Sequence, residues 1–422
     1  MNDYRKNITR TALKGLAALL IFIVAGTVLM IAAYCFPVSM IQKHTGESID
    51  ILENEYEYYG YAPRVSTSYP DHYTDALMLS MAAAPRTGSV IYDAMNCGPL
   101  FIPSFSYGET LMYIFGEGQI DEAFVGSYPR YWHGYLIWLK PMLTVMTYSE
   151  IRILAMCFQL ALLFWALYEL RKKDMRLVPG FFFAFLFLNP ITTALSIQYA
   201  SVYCITLIMT AIMLHFDLFT DEKCPWVLFG GGIAVAFFDF FTYPVVALGI
   251  PLIISVFLSS DQGLGRNIRK ILTGSFAYFA GYAGMWGGKW ITADLLIKSG
   301  TIRDAINEIF IDATGAEDKA VYTIPYVYRQ ILMHITHKSI VIIAFIFLAV
   351  LAFLLIRKKC RIKPDITAVL LLVISLYPFV WYAVVKQHSA TMTRMEQREL
   401  AVTIMGIVSA VLICLKRDDI IG

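Results

Sequence analysis

Long unbroken apolar runs dominate the pattern of this chain. A membrane-spanning helix takes about 20 apolar residues. Runs of that length or slightly less fall at 12–35, 151–170, 177–190, 199–216, 226–241, 245–258, 271–290, 339–356, 366–385 and 400–415. They predict an all-α fold: a polytopic transmembrane helical bundle of about ten spans. The whole chain, 1–422, then reads as one integral-membrane domain. Two polar stretches interrupt it, a large first loop at 37–148 and a second at 291–338. Within the first, the pattern predicts a short helix over 73–84, with Asp71 at its N-cap and Pro85 stopping it. Residues 131–146 are apolar but include His133, Lys140 and Pro141. They predict an interfacial or re-entrant helix with Tyr131, Trp132, Tyr135 and Trp138 at headgroup depth.

Loop charges orient the bundle. Arg5, Lys6, Arg10 and Lys14 precede the first span, which places the N-terminus inside. With ten spans, Arg171-Lys172-Lys173, Arg266/Arg269/Lys270, Arg357-Lys358-Lys359 and Lys416-Arg417 fall inside too, giving an N-in, C-in topology. The two large loops are then extracytoplasmic. The first apolar run is too long for a signal-peptide core and reads as a retained anchor.

Composition agrees. Of the 422 residues 58% are hydrophobic and only 16% charged, where a soluble chain carries about 25% charged residues. Mean hydropathy is +0.60. A net charge of +2 says nothing about nucleic acid, but no basic run is interleaved with aromatics as a nucleic-acid groove needs, so no such partner is expected. The seven cysteines include only Cys97 in the large loop, which excludes a disulfide framework there. There is no Walker loop, dinucleotide fingerprint or nucleophile elbow, so nucleotide chemistry has no support.

Four groups could carry chemistry. Asp71 and Asp75 open the short loop helix and, four apart, share a face. Either carboxylate could act as general base toward an acceptor hydroxyl, with Asp93 a weaker third; the plain alternative is a cap and a solvated acid. Tyr128-Pro129-Arg130-Tyr131-Trp132-His133-Gly134 gathers a planar cation, an imidazole and flat rings suited to phosphate, sugar or headgroup. An aromatic belt with a snorkelling Arg130 explains it equally well. Asp239 lies inside an apolar run, where an acid marks either an intramembrane site or a buried structural partner. Lys386, His388, Arg394 and Arg398 gather positive charge before the last span, on the outer side. That arrangement suits a lipid phosphate, or pairing with Glu396 and Glu399. No metal site is legible.

On these residues the chain resembles the GT-C superfamily of polytopic glycosyltransferases. It is similar to bacterial members with a Tyr-x-Arg-Tyr-Trp-His-Gly motif (Tyr128 to Gly134). Asp239, Thr242 and Pro244 match an Asp-x-x-Thr-x-Pro element, and His388, Ser389 and Arg398 a late His-Ser…Arg motif. The chain departs from the pattern at Met392, where a second His often stands. The resemblance implies an enzyme of the cytoplasmic (plasma) membrane. It would transfer sugar, with inversion, from a polyprenyl-phosphate donor to a cell-envelope acceptor on the outer face. Asp71 or Asp75 would then be the catalytic base, and Arg130, His133, His388, Arg394 and Arg398 would hold the donor phosphate and headgroup. No cofactor is implied with certainty; a divalent cation could assist the leaving phosphate. Two rivals stand beside this reading: a lipid-linked-saccharide flippase or transporter, and a non-catalytic envelope membrane subunit.

Overall fold

The computed structural model describes residues 2–55, 60–62, 65–314, 322–335 and 363–415. The run predicted at 339–356 and the basic clusters at 357–359 and 416–417 lie outside the described residues. The first helix, α1 (Asn2–Ala33), is followed in the large loop by α2 (Val38–Gly46), α3 (Ile49–Asn54), α4 (His72–Ala83), α5 (Val90–Asn96), α6 (Tyr107–Gly116) and α7 (Leu136–Leu143). Then come α8 (Tyr148–Lys173), α9 (Leu177–Leu188), α10 (Pro190–Leu195), α11 (Ile197–His215), α12 (Cys224–Phe238), α13 (Val245–Leu258) and α14 (Leu264–Ile297). After them stand α15 (Thr301–Thr314), α16 (Ile324–Ile335), α17 (Thr367–Ser375), α18 (Tyr377–Val384), α19 (Lys386–Thr391), α20 (Thr393–Glu396) and α21 (Leu400–Ile413). Among the described residues the only strands are Leu100–Phe101 and Phe124–Val125, paired antiparallel.

Each predicted run within the described residues is mostly helical, though residues 239–241 of the run at 226–241 lie beyond the helix end. Four segments are long and apolar enough to cross a membrane: Thr9–Ala33, Tyr148–Lys173, Ile197–His215 and Thr367–Val384. The chain is a helical membrane protein. α9, α12 and α13 are apolar but shorter. Large apolar side chains such as Leu13, Ile21, Phe164 and Phe276 are exposed on the helix surfaces, as lipid-facing positions are. α12 and α14 pack backbone to backbone. A Cβ on Gly232 would meet the Tyr278 carbonyl oxygen at 2.0 Å, and one on Gly281 the Phe229 carbonyl oxygen at 2.2 Å. Small residues allow this approach where no hydrophobic force drives helices together in lipid.

The large loop is itself a packed helical layer. Its helix ends, and several in the bundle, are closed by charged side chains from distant parts of the chain. The last carbonyls of a helix lack intrahelical partners and carry partial negative charge. Lys140 Nζ donates to Ala82 O at the end of α4 (2.7 Å), and Lys289 Nζ to Met95 O at the end of α5 (2.8 Å). His44 Nδ1 meets Leu143 O at the end of α7 (2.8 Å), Arg86 reaches Cys35 O just past α1 (3.0 Å), and Arg176 reaches Leu415 O past α21 (2.9 Å). Helix starts receive carboxylates. Asp75 accepts from Ile197 N and Gln198 N (both 2.9 Å) at the start of α11. Glu399 accepts from Val245 N (2.9 Å) on α13, and Asp294 from Thr301 N (2.5 Å) on α15.

Asp75 is the most heavily used of these. It is fully buried and also accepts from the Ser196 and Tyr148 hydroxyls. Asp75→Ala should therefore uncap α11 and lower stability by about 1.5–3 kcal/mol, the worth of a hydrogen bond to a charged group. Thermal unfolding in detergent checks this; an unchanged midpoint would rule out the capping role.

Candidate functional site

The two loop carboxylates differ sharply in what holds them. Both oxygens of Asp75 are occupied by four donors, as above. Asp71 is the true N-cap of α4: Thr74 N reaches its Oδ1 (3.0 Å) and Thr74 Oγ1 its Oδ2 (2.6 Å). Each Asp71 oxygen thus has one protein donor and a remaining lone pair. Burial pushes the Asp71 carboxyl up to about 6; the Thr74 hydrogen bonds oppose the rise and the Asp75 charge adds to it. Asp93, also buried, is bound by the Thr87 hydroxyl (2.5 Å) and backbone N–H.

The Asp-x-x-Thr arrangement recurs at the far side of the site. Thr242 N and Oγ1 bind separate oxygens of Asp239 at 2.8 and 2.5 Å. That turn leads from α12 into α13 with Phe241 at a left-handed φ of 64°. Two other segments dock on it. Gly134 N donates to Phe237 O (2.8 Å), and the rings of Tyr128, Tyr131 and His133 surround Phe240 at centroid distances of 5.5, 4.8 and 5.2 Å. From the other side His388 packs on Phe241 (4.6 Å) and its Nε2 lies 3.0 Å from the Phe241 carbonyl. Three short motifs, far apart in sequence, therefore meet at residues 237–242.

Arg398 completes the patch. Its guanidinium is fully buried. It stands 3.8 Å over the ring of Tyr199, in the first turn of the helix that Asp75 caps. Nη2 donates to Thr67 O (3.1 Å), close before Asp71, and Nη1 to Arg394 O (3.2 Å). Nε has no partner, and no described carboxylate oxygen lies within ion-pair distance. A buried cation balanced only by carbonyls and a ring is costly. Buried oxygens of Glu396, Gln397, Glu399 and Gln198 also lack hydrogen-bond partners. Burial pushes the Glu396 and Glu399 carboxyls well upward, so neither supplies a ready counter-charge.

The remaining expected residues divide. Arg130 is half-buried and paired with Asp304 (3.4 Å) and Glu308 (3.0 Å) of α15. His133, at a φ of 52°, is buried, with Nε2 3.1 Å from Tyr128 O and Nδ1 3.0 Å from the Tyr135 hydroxyl. Burial holds it down to about 3, and His388 down to about 4. Both are neutral imidazoles at neutral pH, already engaged by the protein. Arg394 is exposed and lies 4.4 Å over the Tyr69 ring. The outer basic cluster is thus only partly at the surface: its last member, Arg398, is interior. Trp132 and Tyr135, expected at headgroup depth, are also interior. Trp132 donates to Met285 O (2.7 Å) and packs on Phe237, because the loop folds onto α12 and α14 instead of lying on lipid.

Sequence reasoning passed over Glu55, His72 and Arg152. Glu55 binds Arg152 Nη2 (2.9 Å) and His72 Nε2 (2.6 Å). Burial alone would raise the Glu55 carboxyl, but those hydrogen bonds bring it to about 2. Glu55 and His72 line a cleft of about 1090 Å³ together with Asp50, Glu53, Glu109 and Tyr113. An arginine in the first turns of an apolar span was the available signal. Among the described residues no three metal-ligating side chains come together. No family model, curated protein or solved structure matches the chain.

The docking of the first motif on the second rests on Gly134. A Cβ there would sit 2.4 Å from the Phe237 carbonyl oxygen. Gly134→Ala should cost about 1–3 kcal/mol, as overpacking does, and separate the two motifs. Limited proteolysis of the loop, run beside thermal unfolding, reads both effects; unaltered protection would show that the contact is dispensable.

Proposed function

We propose that the protein is an integral-membrane glycosyltransferase. It moves a sugar from a polyprenyl-phosphate carrier to a cell-envelope acceptor on the outer face of the cytoplasmic membrane. The observation that carries this reading is Arg398, a fully buried guanidinium with a free Nε and no carboxylate partner among the described residues. A cation so placed fits an anionic group, and in a membrane protein a lipid phosphate is the natural one. The second support is the base. Asp71 keeps free lone pairs, is raised to about 6, and lies four residues from the carbonyl that holds Arg398. A carboxylate tuned toward neutrality suits general-base work. Asp75 is given to structure.

In the proposed reaction Asp71 takes the proton of an acceptor hydroxyl as its oxygen attacks the anomeric carbon. The bond from that carbon to the carrier's phosphate oxygen breaks, and the electron pair leaves with the phosphate. Arg398 balances the charge that develops there. Arg130, Arg394 and the neutral His133 and His388 shape the surroundings through aromatic and carbonyl contacts. The Asp239–Thr242 turn holds Phe240 and Phe241 between the motifs.

The test is transfer from labelled polyprenyl-phosphate sugars by protein reconstituted in vesicles. Asp71→Asn should slow turnover by about 10²–10⁴-fold, the usual worth of a general base. Arg398→Ala should abolish donor binding. Because the base must be ionised, transfer should fall as pH drops through about 6. Undiminished transfer by Asp71→Asn would move the base elsewhere. Carrier binding that depends on Arg398 but never leads to transfer would favour a lipid-linked-saccharide flippase.

A further inference from the structure

α15 turns a stripe of large apolar side chains outward, unlike a helix lying on protein in water. Such a helix turns its apolar stripe inward and its charges outward. Here Asp304 and Glu308, one turn apart and 57% and 39% exposed, hold Arg130 along one edge of the helix. Thr301 and Ala305 are the buried positions of these turns. Ile302, Ile306 and Ile309, spaced to share one face, are 37%, 57% and 55% exposed. Arg303 and Asn307 are exposed along the edge between the two faces.

The surroundings indicate what covers the isoleucines. α14 ends immediately before α15, and its last turns expose Ile291 and Leu295, continuing the bundle's apolar outer surface. Trp290 of α14 donates its indole N–H to the Arg130 carbonyl (3.0 Å). Tryptophans concentrate at the membrane–water boundary. The residue that anchors α15 is therefore itself held by a tryptophan two turns before the end of the long helix α14. An amphipathic helix lying at that depth meets acyl chains on one side and headgroups along its edge.

We propose that α15 is a bilayer-surface helix. Ile302, Ile306 and Ile309 insert into one leaflet, while Asp304 and Glu308 latch the helix to Arg130 at the rim of the site. The partner is the lipid surface itself. The bond to Arg130 links the helix's seating in lipid to the Tyr128–Gly134 motif. None of this depends on the transferase reading.

The experiment uses the full-length, cysteine-free protein in nanodiscs of phosphatidylcholine and phosphatidylglycerol. A nitroxide is placed by Ile302→Cys, Ile306→Cys, Ile309→Cys, Arg303→Cys or Asn307→Cys, each at an exposed position. At the three isoleucine sites collisions with oxygen should exceed those with a water-soluble nickel chelate several-fold; at Arg303 and Asn307 the order should reverse. Equal access of the chelate to all five would place the face in water. Exclusion of both reagents from the isoleucine sites would mean that protein covers it. Either result overturns the proposal. Adding Arg130→Ala should raise label mobility at Asn307; unchanged mobility would remove the latch.

Discussion

Helix ends at a membrane boundary carry backbone groups that must find partners, and in this protein buried charges from elsewhere in the chain supply many of them. Each unsatisfied group away from water costs several kcal/mol. The sign follows the helix dipole: Lys140, Lys289 and Arg176 meet carbonyl ends, while Asp75 and Asp294 meet amide starts. These contacts explain charges that would otherwise look functional. They also fix how the large loop sits on the bundle, since Lys289 binds the end of α5 from α14, and Asp75 binds the start of α11 from α4.

Removing those structural charges leaves a short remainder. Asp71 has lone pairs to spare, and Arg398 has a donor without an acceptor. Both border the start of α11, Asp71 through Ser196 and Arg398 through Tyr199. The docking at 237–242 adds left-handed backbone at His133 and Phe241. Non-glycine residues hold that conformation only where neighbours enforce it. Here Phe240 is packed by the first motif and Phe241 by His388.

The helix positions were legible because lipid demands long apolar runs, and α13 coincides with the run at 245–258. The short helix beginning near Asp71 was legible too, through its cap and Pro85. Roles within the site were not. Asp71 and Asp75 look alike in sequence, and what separates them is a contact with Ile197, 122 residues from Asp75. Arg398 reads as one of four basic residues near a membrane; its burial depends on Thr67, 331 residues away. The surroundings of Trp132 differ from the expected headgroup depth, because periodicity cannot tell lipid from protein as the apolar partner. The outward apolar face of α15 was hidden for the same reason.

The most direct test of this account is a high-resolution structure of the protein with a non-transferable polyprenyl phosphonate. The account predicts the phosphonate oxygens within hydrogen-bond distance of Arg398 Nε, with Asp75 still bound to the start of α11. A phosphonate held elsewhere, with Arg398 Nε turned to a protein carboxylate, would contradict it.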